Sequence, residues 1–138
     1  MVGKTIKELN IGDSAFYEKT ITDADVISFA NVTGDHNPVH IDEAYAEKSI
    51  FKHRICHGGL VSALFSTVLG TTLPGHGTIY LGQNSKFIKP VYLNDTIKAT
   101  VEVVEIIESK NRVILKTTAT NQNGDVVVVG EATVMPPL

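Results

Sequence analysis

The chain has 138 residues, 43% apolar and 20% charged, with five histidines, one cysteine and a formal net charge of −3. That length supports one hydrophobic core, and the balance of residues excludes a disordered chain. Scattered positive residues within a mildly acidic total exclude a nucleic-acid footprint.

No apolar run approaches a membrane span, and Met1 to Lys19 hold no core of signal-peptide length. Cys56 stands alone, so it closes no intrachain disulfide and suits a reducing cytoplasm. No linker, repeat or low-complexity stretch divides the sequence, so residues 1–138 read as a single domain.

Asp13 to Lys19 form the first strand candidate. Thr22 then has the character of an N-cap, with Asp23 and Asp25 suited to the positive end of a helix. Val26, Phe29, Ala30 and Thr33 recur at helical spacing, and Gly34 closes the helix. Pro38 holds Asn37 extended and prevents the helix from continuing, which predicts a turn. Asp42 is placed to cap a short helix through Ala46. Leu60 to Gly70 is apolar almost all round, broken only by Ser62, Ser66 and Thr67, and so predicts a helix buried on nearly all sides.

The second half is different in kind. Thr78 to Lys89, Thr96 to Glu108, Arg112 to Asn121 and Val126 to Met135 are rich in Val, Ile and Thr. Ile97, Ala99, Val101 and Val103 alternate with Lys98, Thr100 and Glu102, as in a strand with one buried face. The Asn123–Gly124–Asp125 turn and the short connections predict antiparallel neighbours. Pro90 marks a strand edge or bend, and Val126 to Val129 read as a buried strand or an edge. One antiparallel sheet wrapped around one buried helix is the economical α+β architecture.

Polar chemistry concentrates in Thr33–Asp42, TGDHNPVHID. His36 and His40, and again His53 and His57, have a spacing that grips zinc when it lies on a helix. Pro38 interrupts the first pair and Gly58–Gly59 follow the second, so no metal is expected. Cys56 beside His57 is a poor nucleophile–base pair, because sequence neighbours rarely face each other. Two readings of Asp35 and His40 remain: a capped polar turn, or an acid–base pair sharing one water, with Asn37 orienting one of them. His57 is a cap or a site-wall residue. Lys52, Arg54, Lys86 and Lys89 are solvated cations or phosphate contacts.

The stretch TGDHNPVHIDEAYA resembles the hydratase motif of the MaoC-like (R)-specific enoyl-CoA hydratases. Its elements are matched by Gly34, Asp35, Asn37, Pro38, Val39, His40 and Ala46. The similarity extends from about Ile21 to Val134 and is greatest to the short hydratases that feed polyhydroxyalkanoate synthesis. It implies a hot-dog fold, a curved antiparallel sheet around a long central helix, as a homodimer or higher homo-oligomer. It implies Asp35 and His40 as the catalytic pair, Asn37 as support, the Gly58 N–H on the thioester oxygen, and Ser66 lining the site. The implied reaction is reversible syn hydration of a trans-2-enoyl-CoA to the (R)-3-hydroxyacyl-CoA, with Asp35 as principal base. CoA belongs to the substrate, and no other cofactor is implied. A dehydratase acting on acyl-carrier-protein thioesters or specialised acyl-CoAs and a non-catalytic acyl-CoA-binding protein are the alternatives.

Overall fold

The computed structural model describes residues 2–138. Strand β1 (Ser14–Thr20) is followed by helix α1 (Asp23–Thr33), two brief helices α2 (Pro38–Ile41) and α3 (Glu43–Glu47), and the long helix α4 (Gly58–Thr71). Strands β2 (Ile79–Phe87), β3 (Thr96–Ile107), β4 (Arg112–Thr120) and β5 (Val126–Met135) complete the chain.

The caps read from sequence are present. Thr22 Oγ1 accepts from the Asp25 N–H at 3.2 Å while Asp25 Oδ2 accepts from the Thr22 N–H at 2.9 Å. This reciprocal box satisfies two of the donors that a helix start leaves unpaired. Gly34 ends α1 with φ 82°, a left-handed conformation that costs a residue without Cβ little. Asp42 caps α3 through the Tyr45 N–H.

Pro38 corrects one expectation. Gly34 has already ended α1, and Pro38 begins α2 as its first residue, with the Asn37 side chain accepting from the Val39 N–H at 3.4 Å. Proline is well suited there, because its missing N–H would have no partner at that position. His40 therefore projects from a turn of helix and not from an open loop.

The five strands form one antiparallel sheet in the order β1-β3-β4-β5-β2. Adjacent strands in sequence pair at β3–β4 and β4–β5, as short connections dictate. β2 departs from that expectation by pairing with β5 at the far edge. The reason lies in the link between β2 and β3, which pairs with the segment before α4. Cys56 N–H donates to Val91 O at 2.7 Å, and Ile55 bridges Tyr92. β5 is consequently an interior strand, and β1 and β2 are the edges.

Helix α4 packs on β1, β2, β3 and β4. Val61, Leu64, Phe65, Val68 and Leu69 meet Ile97, Val101 and Val103 of β3 and Val113 and Leu115 of β4 in one buried cluster. Burying each such side chain contributes about 1.5–3 kcal/mol, which is what holds the helix in the concave face of the sheet. Burial on all sides is not observed in the single chain: Gly59, Ala63 and Ser66 form an exposed stripe. These residues are small, so the helix is apolar in composition yet has one face of little bulk. Among the described residues, no helix is long and apolar enough to cross a membrane.

Candidate active site

The polar stretch between α1 and α3 is built by its own hydrogen bonds. Asp35 N–H donates to Thr33 Oγ1 at 3.2 Å, and His40 N–H to Asn37 O at 3.0 Å. Asn37 thus supports the site through the backbone by capping α2. The imidazole of His36 is drawn back to α1, with Nε2 3.1 Å from Asn31 Oδ1 and Nδ1 3.2 Å from Gly34 O.

A second segment, residues 51–57, crosses behind this turn. Ile55 N–H donates to Val39 O at 3.2 Å, and Ile55 O lies 2.8 Å from His40 Nδ1. A carbonyl can only accept, so Nδ1 carries the proton and the neutral ring keeps its lone pair on Nε2. Next in the chain, His57 places Nε2 3.0 Å from Asp35 O, which by the same argument makes Nε2 the donor. The two imidazoles stack, with centroids 3.9 Å apart and planes at 27°. Phe29 of α1 packs on the His57 ring at 4.8 Å.

A carboxylate oxygen of Asp35, a ring nitrogen of His40 and one of His57 all lie within 4.8 Å of one another. His40 is 8% exposed and His57 2% exposed, while Asp35 is open to solvent in the single chain. Burial pushes the His40 imidazole below its ordinary range, and the neighbouring His57 adds to the fall. The Ile55 carbonyl and the Asp35 charge oppose it without reversing it. His40 is therefore neutral at neutral pH, with Nε2 ready to accept a proton.

Aspartate and two histidines are also metal-ligand types. His40 Nδ1 and His57 Nε2 are each engaged by a carbonyl, so only His40 Nε2 and His57 Nδ1 keep a free lone pair. The buried His57 Nδ1 has no hydrogen-bond partner among the described residues.

Beside His40 opens a cavity of about 480 Å³ whose wall includes Phe51, Gly58, Phe87, Val91 and Val128. Gly58 is the first residue of α4, and no side chain caps that end. The N–H groups of the first turn lack intrahelical acceptors and carry the positive end of the helix dipole. A Cβ on Gly58 would stand 2.7 Å from the Phe87 ring, so a larger residue would displace that ring from the helix start. One cavity thus joins a proton acceptor to a set of oxyanion donors, walled by apolar surface.

The expected residues separate on this geometry. Asp35, His40, His57 and Gly58 converge. Asn37 acts from beneath the turn. Ser66 lies more than two turns along α4, exposed and outside the cavity wall. The histidines that meet are His40 and His57, members of different H-x3-H pairs, whereas His53 binds Glu43 at 3.0 Å on the surface. Cys56 lines the cavity as a buried thiol pushed up to about 12 by desolvation, which leaves it unreactive. Lys89 pairs with Asp125 at 3.6 Å. The aromatic walls Phe51 and Phe87 carry no motif that would have marked them in the sequence.

The MaoC-like domain family matches residues 11–125. An (R)-specific enoyl-CoA hydratase of Rhodospirillum rubrum is 46% identical over 131 residues, which cover 95% of this chain and 90% of that protein. The (R)-specific enoyl-CoA hydratase of Aeromonas caviae is 41% identical, over 95% of this chain and 98% of the relative. Among solved structures, the unliganded R-hydratase PhaJ1 of Pseudomonas aeruginosa superposes with TM-score 0.93 at 48% identity, covering 98% of this chain and 86% of that one. With its motif, its sheet-wrapped helix and these relatives in agreement, the chain belongs to the MaoC-like domain family and has its hot-dog fold.

Proposed function

We propose that this protein is an (R)-specific enoyl-CoA hydratase, adding water reversibly and syn to a trans-2-enoyl-CoA. The observation that carries the reading is the His40 ring, its Nδ1 held by a carbonyl, within 4.8 Å of the Asp35 carboxylate and on a cavity that Gly58, the first residue of α4, also lines. The (R)-specific hydratases among its relatives support it.

Both groups begin as acceptors. The proton that reaches C2 therefore originates in the water, whose oxygen bonds to C3. Asp35 and His40 each take one O–H of that water and aim its lone pair. His40 lines the cavity, and the Asp35 carboxylate stands within 4.8 Å of its ring, so the pair can share one water, with Asp35 as principal base and His40 relaying a proton to C2. As charge gathers on the thioester oxygen, the Gly58 N–H and the α4 dipole stabilise it. Every step is a proton transfer or an addition with no net oxidation or reduction, so the proposed route uses no redox cofactor and assigns no step to a metal.

A homodimer completes the proposal. The edge strand β2 exposes Ile79, Tyr80, Leu81 and Phe87, a long apolar edge of the kind that proteins cover. The small-residue face of α4 is also exposed in the single chain, and a second copy of the chain would cover both. The buried free Cys56 accords with a cytoplasmic setting.

The test is loss of the enoyl-thioester absorbance of crotonyl-CoA, with chiral analysis of the product and light scattering for the assembly. An (R) product is expected. An (S) product, or no turnover of any enoyl thioester, would sink the reading. Turnover of carrier-protein thioesters alone would move the substrate to that class, which is named for relatives 35% and 37% identical.

A further inference from the structure

Arg54 is a charged side chain that the reaction above does not use, yet its side chain is only 15% exposed. Its Nε–H donates to His40 O at 2.6 Å, and its Nη2 lies 2.7 Å from Asp23 Oδ1. The second contact is ionic and not a well-aligned hydrogen bond. His40 O is one of the last carbonyls of α2, which the four-residue helix leaves without an internal partner. Asp23 opens α1, the helix whose far end carries Asp35.

We propose that Arg54 is a positioning residue for the hydration reaction: its guanidinium ties the backbone of His40 to the start of α1. The inference rests on the hydratase reading. Residues 54 and 55 together grip His40 at two points. The Ile55 carbonyl holds the ring through Nδ1, and the Arg54 side chain holds the main chain. With both in place the ring cannot turn without moving α2. The planar guanidinium suits this task because it serves a carbonyl and a carboxylate from one rigid group, which an ammonium does not. Arg54 does not itself line the cavity, and its contact with the site is the His40 main chain, so its effect passes through His40.

The experiment compares Arg54→Met, Arg54→Lys, Asp23→Asn and the Asp23→Asn/Arg54→Met double variant on crotonyl-CoA, with activity normalised to folded protein by circular dichroism. Displacing a catalytic group by a fraction of an ångström lowers turnover by about 10- to 100-fold, and Arg54→Met is expected to lose kcat in that range with KM little changed. Arg54→Lys is expected to recover part of the loss. Asp23→Asn is expected to lower kcat on its own and to add nothing when Arg54 is already Met, because the two act as one unit. The inference is overturned if Arg54→Met keeps wild-type kcat, if its loss lies in KM, or if the two substitutions are additive. A wild-type protein that turns over no enoyl thioester overturns both this inference and the hydratase reading. An active wild type with an unaffected Arg54→Met removes only the role of Arg54.

Discussion

Gly130→Ala tests whether the wall of the cavity depends on one close approach between strands. Gly130 lies in β5, opposite Ser85 of β2 and Thr117 of β4. A Cβ at this position would stand 1.9 Å from Asn84 O and 2.8 Å from Asn84 C. An ordinary carbon–oxygen contact is about 3.3 Å, so the strands must separate by more than 1 Å, roughly. The obstacle is backbone, and no side-chain rotation relieves it. β2 is the edge strand, and the least costly relief is to peel it from β5 near Asn84 and Ser85. Losing two or three ladder hydrogen bonds at about 1 kcal/mol each gives a cost of about 2–3 kcal/mol, within the range for overpacking. For a chain of this size that lowers the melting temperature by roughly 10 °C. Phe87, the last residue of β2, and Ile88 after it line the cavity, so kcat/KM falls as well. Gly82→Ala is the control: it lies on the neighbouring strand β2, and a Cβ there meets nothing within 4 Å. Thermal melts followed by circular dichroism give the comparison. A Gly130→Ala protein that melts no lower than Gly82→Ala would refute the reasoning.

Asp35→Asn and His40→Ala are each expected to lower kcat by about 10²- to 10⁴-fold with the far-ultraviolet spectrum unchanged, and full activity in either removes that residue from the mechanism. Burial lowers the His40 pKa, so the acid limb of kcat/KM, measured from pH 4 to 8 or so, should fall below the 6.5 of an ordinary imidazole. Stability has the same sign. The unfolded chain binds that proton more readily, so the His40 contribution is present above the ordinary imidazole range and is lost as pH falls through it. An acid limb at or above the ordinary value would contradict the buried neutral ring. Gly58→Ala should change the stability of the single chain by no more than about 1 kcal/mol, because there the Phe87 ring it meets is exposed and can swing aside. It should still lower kcat/KM by displacing a cavity wall, and an unaffected kcat/KM would show that the wall does not matter. Exhaustive chelation should leave turnover unchanged, and a chelator-sensitive activity restored by added zinc would favour a metal at Asp35, His40 and His57.

Much of this molecule is written locally. Thr22, Gly34 and Asp42 mark helix ends because a cap depends only on residues within one turn of it. β3 was legible because Ile97, Ala99, Val101 and Val103 share a face with period two. The resemblance of Thr33–Ala46 to a known motif marked Asp35 and His40. The tertiary structure decided what local rules do not reach. The link after β2 pairs with the segment before α4, and so β2 lies beside β5 as an edge and Phe87 over Gly58. The same segment sets the Ile55 carbonyl on His40 Nδ1, which selects the ring nitrogen that accepts a proton. It also stacks His57 on His40, a pairing that neither H-x3-H spacing suggests. Spacing along a chain describes neighbours within one element. Which histidines meet, and which nitrogen is free, depends on how separate elements are pressed together by the core they share.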